Sequence, residues 1–258
     1  GTLRDLLRVK SVGEIERDDK RGIVKFAKPI GVVGAITPST NPGATPVNKA
    51  MMAVKGRNAV IIAPSPLGYR TTARAVEHMR NALGAIGLPK DLVQILPHPV
   101  TKETTQAIME AVDLVVVTGS QDNVRRAYRS GTPAIGVGAG NVPVIIDETA
   151  DLAAAAQKIC ASKTFDNATS CSSENAVVIV SSVYDAAIEA LKKAGGYLVN
   201  EEQKKRVLGE LWKTGKLNRH LIARDMPVMA NSFGLPADAK SAKFLLVEET
   251  GIGKAYPL

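Results

Sequence analysis

The feature that most restricts the fold is a regular exchange between short, continuous β-branched runs and longer stretches of helical periodicity. The runs fall at residues 30–36, 59–62, 92–96 and 114–117. Between them, residues 46–55, 70–86 and 102–111 repeat apolar side chains at helical spacing. Strands that are apolar throughout, rather than alternating, are buried on both faces. The pattern therefore predicts an α/β chain built on an open parallel sheet with helices on both sides. A further helix is expected at 123–129, a strand at 144–146 and an Ala-rich helix from Leu152 to about Ser162. After Phe165 the texture changes to small polar residues, then a strand at 176–180 and helices at 184–194 and 201–212. A boundary near residues 165–170 divides the chain into a first domain, 1–167, and a second, 168–258.

Composition narrows the partners. No apolar run approaches the ~18 residues of a membrane span, so no membrane partner is expected. The net charge of +8 suits nucleic acid, a membrane surface or an anionic small molecule. The basic residues are scattered and aromatics make up only 4%, so no stacking platform for single strands is present. A phosphate-rich cofactor or an acidic substrate fits the excess better than nucleic acid, beside the plain alternative of a solvated basic surface. The two cysteines, Cys160 and Cys171, match neither a disulfide framework nor a zinc site. No metal is expected, and a reducing, cytoplasmic setting is the default. No signal peptide opens the chain, and a first residue of Gly rather than Met suggests that the natural N-terminus is missing.

Four constellations carry chemistry. Pro38-Ser39-Thr40-Asn41-Pro42 directly follows a strand. Ligands in α/β sheets bind beyond the carboxyl ends of strands, and an Asn there can offer its amide N–H to a developing oxyanion, though Asn-Pro is also a common turn. Val117-Thr118-Gly119-Ser120 again runs from strand to helix, where backbone N–H groups favour a diphosphate. It is neither a GxGxxG fingerprint nor a P-loop. Gly136-Val137-Gly138-Ala139-Gly140 places three glycines in five residues, either a close approach to a flat ligand or a flexible loop. Thr169-Ser170-Cys171-Ser172-Ser173-Glu174 sets a cysteine on a polar turn, a poor packing choice, where nearby amides can lower a thiol's pKa. Cys160, on a helix, reads as core.

In this order and spacing the four constellations resemble the aldehyde dehydrogenase superfamily, over about residues 28–184. The CoA-acylating branch is the most similar, through Ser162-Lys163-Thr164-Phe165-Asp166-Asn167 and Ala134-Ile135-Gly136-Val137-Gly138-Ala139-Gly140-Asn141. It includes the aldehyde domain of bifunctional alcohol/aldehyde dehydrogenases. Ser170-Cys171-Ser172-Ser173-Glu174-Asn175 also looks like acylating sulfoacetaldehyde dehydrogenases. The resemblance implies a cofactor domain followed by the first part of a catalytic domain. It implies that Cys171 is the nucleophile and that Asn41, with the Cys171 backbone N–H, forms the oxyanion hole. A nicotinamide cofactor, NADP or NAD, would meet Thr37, Pro38, Ser65, Arg70, Thr118, Gly119, Ser120, Gly138, Ala139 and Gly140, and coenzyme A would be co-substrate with a small aldehyde. The whole protein is expected to be a homo-oligomer.

The departures are informative. Hydrolytic members carry a Glu two residues before a Gly-Gly pair, and the aligned position here is Val137. Without that carboxylate, general-base hydrolysis of a thioester lacks its usual agent, and transfer to a thiol becomes the natural exit. Hydrolytic members also have an acid after the second strand that holds a ribose 2′-OH. Here the stretch is Ala63-Pro64-Ser65-Pro66, with Arg70 nearby, which permits a 2′-phosphate. The second Gly of the family's cofactor loop is replaced by Val124. The alternatives are a hydrolytic aldehyde dehydrogenase, a reductase of the same fold acting on acyl phosphates, and a non-catalytic nucleotide-binding module.

Overall fold

The computed structural model describes residues 2–138, 140–215, 217–253 and 256. Its contacts divide the chain into two compact units, residues 1–139 and 140–258. This differs from the boundary near residues 165–170 that composition suggests, and packing is the reason. The strand at 143–146 pairs with that at 176–179, and the helix between them packs beside the following helix, so residues 143–164 belong with what comes after.

The first unit opens with α1 (Thr2–Arg8) and an exposed antiparallel ribbon, β1 (Gly13–Asp18) and β2 (Ile23–Ala27). Then comes the predicted alternation: β3 (Val32–Thr37), α2 (Ala44–Lys55), β4 (Ala59–Pro64), α3 (Tyr69–Ala85), β5 (Val93–Ile95), α4 (Lys102–Ala111), β6 (Leu114–Thr118), α5 (Gln121–Arg129) and β7 (Ala134–Val137). The strands form one parallel sheet in the order β5-β4-β3-β6-β7. Side-chain alternation sends Val33, Ala35, Val60 and Ile62 to a core with Ala50, Ala53 and Val76 of α2 and α3. It sends Ile36, Ala63, Val115 and Val117 to a second core with Ile108, Met109, Val124 and Ala127 of α4 and α5. Both faces are covered, as runs apolar throughout require.

Among the described residues, one buried side chain is charged. The inward face of α2 presents Pro46, Lys49, Ala50 and Ala53, and Lys49 is only 8% exposed. It forms no ion pair among the described residues. Burial lowers its pKa from 10.5 to about 8. Near neutral pH the amine is still charged. At ~1.4 kcal/mol per factor of ten in proton affinity, holding that charge inside costs about 3 kcal/mol. Lys49→Met, which keeps the stem and removes the charge, is therefore expected to raise the chemical-denaturation midpoint at neutral pH. The sign is fixed by linkage. Between about pH 8 and 10.5 the unfolded chain holds the proton that the folded chain has lost, so wild-type stability rises with pH there. The variant should lack that rise, and an unchanged or lower midpoint at neutral pH would count against an unpaired buried charge.

The second unit contains β8 (Pro143–Ile146), α6 (Leu152–Thr164), β9 (Ala176–Ile179), α7 (Tyr184–Lys193), β10 (Gly196–Leu198), α8 (Glu201–Leu211), α9 (Met226–Ser232), α10 (Ala237–Ser241) and β11 (Phe244–Leu246). Strands β8 and β9 pair in parallel, as do β10 and β11. Asp151 starts α6 by accepting the Ala154 N–H at 3.0 Å. One face of α6 then buries Ala156, Ile159 and Cys160 against Ala187 and Leu191 of α7. Cys160 is thus the core residue its helical position suggested. No described helix is long and apolar enough to cross a membrane.

Candidate active site

In the first unit the strand order reverses direction beside β3. The chain moves outward from β3 through β4 to β5, then returns to lay β6 on the other side of β3. The loops leaving the carboxyl ends of β3 and β6 therefore diverge and open the crevice where such sheets bind ligands. Thr37 ends β3 and Pro38 and Asn41 follow it, while Thr118 ends β6 and Gly119 and Ser120 follow it. Ser65 follows β4, its N–H donating to the Thr37 carbonyl at 3.1 Å, and exposed Arg70 lies in the first turn of α3. Gly138 follows β7, and Gly140 begins the second unit. Ala139 lies outside the described residues. The structure thus gathers the predicted cofactor residues of the first unit along one edge of one sheet.

Local chemistry fixes the loops. Asn41 Oδ1 accepts the N–H of Ala44, the first residue of α2, at 3.1 Å. The Pro42 carbonyl accepts the buried Thr72 hydroxyl of α3 at 2.8 Å. With its oxygen committed to the helix, the Asn41 amide keeps its N–H₂ group without a partner among the described residues. Gly119 has φ of +150°, open to glycine and strained for other residues. A Cβ there would sit 3.9 Å from Pro38 Cβ, which places the β3 and β6 loops side by side. Ser120 caps α5 by accepting the Asn123 N–H at 3.2 Å. The N–H groups of Gln121 and Asp122 in the same first turn have no intrahelical acceptor.

The glycine-rich segment is resolved differently from a loop against a flat ligand. Gly136 and Val137 belong to β7. A Cβ on Gly136 would meet Val124 Cγ1 at 2.8 Å, so this glycine lets α5 lie close on the strand. The same contact gives Val124 a packing role, and it is buried. Val137 ends the strand with its side chain 55% exposed.

A dinucleotide fits this edge on one direct observation. Thr37 is 2% exposed at the end of β3, yet its hydroxyl has no hydrogen-bond partner among the described residues. A buried polar atom left unmatched costs about 1–3 kcal/mol, and a ligand oxygen or amide above the strand ends would satisfy it.

Cys171 lies in the second unit, on the loop that joins α6 to β9. The loop begins with three successive non-glycine residues in the left-handed region, Asp166 (φ 50°), Asn167 (φ 48°) and Ala168 (φ 60°). Asp and Asn tolerate this conformation, whereas each such residue in general costs roughly 1–2 kcal/mol. Hydrogen bonds hold it: Thr169 Oγ1 donates to the Asp166 carboxylate at 2.7 Å, and Asn167 Nδ2 donates to Asp225 Oδ1 at 2.9 Å. A tight turn follows, closed by the Ser173 N–H on the Ser170 carbonyl at 3.1 Å. Cys171 rides on that turn, exposed and unpaired, and its backbone N–H has no hydrogen-bond acceptor among the described residues. Strain of this kind, held by its surroundings, is a recurrent property of functional loops.

The sequence reading missed what braces this loop. Lys163, in the last turn of α6, donates to Asn175 Oδ1 at 2.8 Å, and the Ser173 hydroxyl donates to the Ser162 carbonyl at 3.4 Å. Nothing in the sequence marks a pair twelve residues apart except that both flank the polar segment.

Comparison with known proteins gives a coherent neighbourhood. The family model described as "Aldehyde dehydrogenase family" matches residues 5–212. The chain is 50% identical over 258 residues to a sulfoacetaldehyde dehydrogenase (acylating) of Cupriavidus necator, covering 100% of this chain and 52% of that protein. It superposes with a TM-score of 0.93 on an acetylating aldehyde dehydrogenase from Geobacillus thermoglucosidasius, 39% identical, over 99% of this chain and 57% of that one. It also superposes with a TM-score of 0.78 on a Rhodopseudomonas palustris propionaldehyde dehydrogenase with bound propionyl-CoA, 28% identical, over 85% and 54% of the two chains. The chain spans about half the length of the curated relatives it matches.

Proposed function

The chain belongs to the aldehyde dehydrogenase family, and we propose that it carries the cofactor crevice and the nucleophile of a CoA-acylating enzyme that oxidises a small aldehyde to its acyl-CoA. The observation that carries the reading is Val137, an exposed apolar side chain where a hydrolytic enzyme needs a carboxylate to activate water. The name of the Cupriavidus relative makes sulfoacetaldehyde the first aldehyde to test. The enzyme is taken to act in the cytoplasm as a homo-oligomer.

On this reading the Cys171 thiolate adds to the aldehyde carbonyl, forming a C–S bond and an alkoxide. Asn41, through its uncommitted N–H₂, and the Cys171 backbone N–H stabilise that oxygen, each donor worth ~3–4 kcal/mol in comparable sites. A nicotinamide cofactor, when bound, would supply the hydride acceptor, and Thr37, the Gly119 turn and the first turn of α5 would hold its phosphates and sugars. What remains on Sγ is an acyl thioester. The thiol of coenzyme A displaces Cys171 from it, giving the acyl-CoA, a regenerated enzyme thiol and ping-pong kinetics. Ser65 and exposed Arg70, with no acid near them in the sequence, suit a 2′-phosphate, so NADP is to be compared directly with NAD.

Following the absorbance of reduced cofactor with acetaldehyde, propionaldehyde and sulfoacetaldehyde tests the reading. Sustained reduction should require CoA, with acyl-CoA as product. Continuous turnover to the free acid without CoA would overturn it in favour of hydrolysis. Turnover that depends on inorganic phosphate would overturn it in favour of acyl-phosphate chemistry.

A further inference from the structure

The nucleophile loop is moored to a segment far from it in sequence. Asn167, four residues before Cys171, turns its amide toward the stretch that leads into α9. Asn167 Nδ2 donates to Asp225 Oδ1 at 2.9 Å and to the Ala223 carbonyl at 3.4 Å. Both segments that it joins carry left-handed backbone, Asp166, Asn167 and Ala168 on one side and Ala223 (φ 58°) on the other. Asp225 forgoes a cap for this contact. It immediately precedes the first turn of α9, where an Asp carboxylate ordinarily accepts a backbone N–H of the helix. Here it makes no such bond, and Oδ1 goes to Asn167 instead. The far anchor is firm, because Ala230 of α9 and Phe233 just past its end are buried in a core with Val207 of α8. Helix α6, from which the loop departs, is buried in a different core through Ile159 and Cys160. The Asn167 amide thus ties a loop that leaves one core to the other, just ahead of the cysteine.

We propose that Asn167 is a positioning residue for Cys171: by mooring the left-handed run to Ala223 and Asp225, it holds the turn at 170–173 in one place, so that Sγ meets the aldehyde carbon along one line of approach. Asn167 touches no reacting atom and acts only through the loop. Its residue type suits both tasks. Asparagine tolerates left-handed backbone and carries a donor. Aspartate would tolerate the backbone but turn a second carboxylate toward Asp225, and glycine would fit the backbone with nothing to donate. A nucleophile misplaced by about 1 Å can lose ~10²-fold in rate. Alkylation by a small reagent, in contrast, needs a reactive thiol but no fixed orientation. The inference rests on the acylating reading for its catalytic meaning, but the mooring itself can be read without it.

The test exchanges the two partners of the bond. Wild type, Asn167→Gly, Asn167→Asp and the Asn167→Asp/Asp225→Asn double variant are compared in the whole enzyme. The double variant swaps donor and acceptor, so the bond can re-form with its direction reversed and the net charge unchanged. Four quantities are read: kcat and KM of acyl-CoA formation, the rate of Cys171 alkylation by iodoacetamide at fixed pH, hydrogen exchange of peptides spanning 165–175, and the melting temperature. Asn167→Gly, which adds no charge, should lower kcat by about tenfold or more, leave the KM for cofactor and the alkylation rate within about threefold of wild type, and speed exchange across the loop. Asn167→Asp should lose at least as much kcat, and the double variant should recover to within about threefold of wild type. Wild-type kcat in Asn167→Gly would overturn the proposal. So would a double variant as slow as Asn167→Asp, because the restored bond would then restore nothing. An alkylation rate that falls in step with kcat would also overturn it, since Asn167 would then act on the ionisation of the thiol and not on its placement. If Asn167→Gly does not fold, Asn167→Asp and the double variant decide by the same criteria. If wild type forms no acyl-CoA, the functional reading fails by itself, and the exchange rates still decide whether Asn167 moors the loop.

Discussion

Cys171→Ala is expected to abolish acyl-CoA formation, with a loss on the order of 10⁴–10⁶-fold in kcat, the range seen when a covalent nucleophile is removed. The loss should not come from unfolding. The Cys171 side chain is exposed and makes no hydrogen bond among the described residues, so removing one exposed sulfur should leave the melting temperature within about 1 °C of wild type, as for surface changes near ±0.5 kcal/mol or less. Cofactor affinity should hold within about threefold, because none of the residues assigned to the cofactor is changed. Cys160→Ala is the natural contrast. That thiol is 7% exposed within the α6–α7 core, so its replacement should lower the melting temperature and spare the chemistry. If Cys171→Ala retains more than a hundredth of wild-type kcat, Cys171 is not the nucleophile.

Asn41 allows a sharper experiment because its amide does two things. Its oxygen holds the Ala44 N–H at the start of α2, and its nitrogen is the proposed oxyanion donor. Asn41→Ala removes both, so it should lower kcat/KM by roughly 10²–10³-fold and stability by about 1 kcal/mol. Asn41→Asp keeps the acceptor for Ala44 and loses the donor, while adding a negative charge where negative charge must develop. It should melt close to wild type and be at least as inactive as Asn41→Ala. The outcome that would sink the assignment is an Asn41→Asp enzyme within about tenfold of wild type in kcat/KM.

Much of the fold was legible because its elements obey one rule each. Residues 102–111 show helical periodicity throughout and form α4 with those bounds. The runs at 59–62 and 114–117 lie inside β4 and β6, buried on both faces. Elements without a buried face escaped. Strand β1 is exposed at nearly every position and carries Glu14, Glu16 and Asp18, so neither alternation nor an apolar run betrays it. β10 and β11 are three residues each, too short for periodicity to register. β7 was hidden by Gly136, whose missing side chain makes room for α5 and which reads locally as a loop signal. At the site, the roles of Asn41 and Cys171 came from the family resemblance, because Asn-Pro by itself reads as a turn and a cysteine on a polar turn is by itself a weak signal. Lys49 was legible in principle, since Pro46, Lys49, Ala50 and Ala53 follow i, i+3, i+4, i+7 spacing and put the lysine on the buried stripe. The left-handed run at 166–168 and the Lys163–Asn175 tie were not, because backbone handedness and contacts across a loop are set by the ends that clamp it.

The strand order has a consequence for how the first unit assembles. Strand β3 pairs with β4 after a short crossover, Val33 opposite Val60, but meets its other neighbour only when Val33 finds Leu114, three times farther along the chain. Closing the longer loop costs about 1 kcal/mol more in chain entropy. As the polypeptide leaves the ribosome, β3, α2, β4, α3 and β5 can collapse first as a half-sheet with one flank of its middle strand bare. The crevice, and with it the neighbourhood of Thr37 and Gly119, comes into being only when β6 docks on that flank. A binding pocket of this kind forms late in the assembly of its domain, before only α5 and β7 are added, and is a natural point for a nascent chain to go astray.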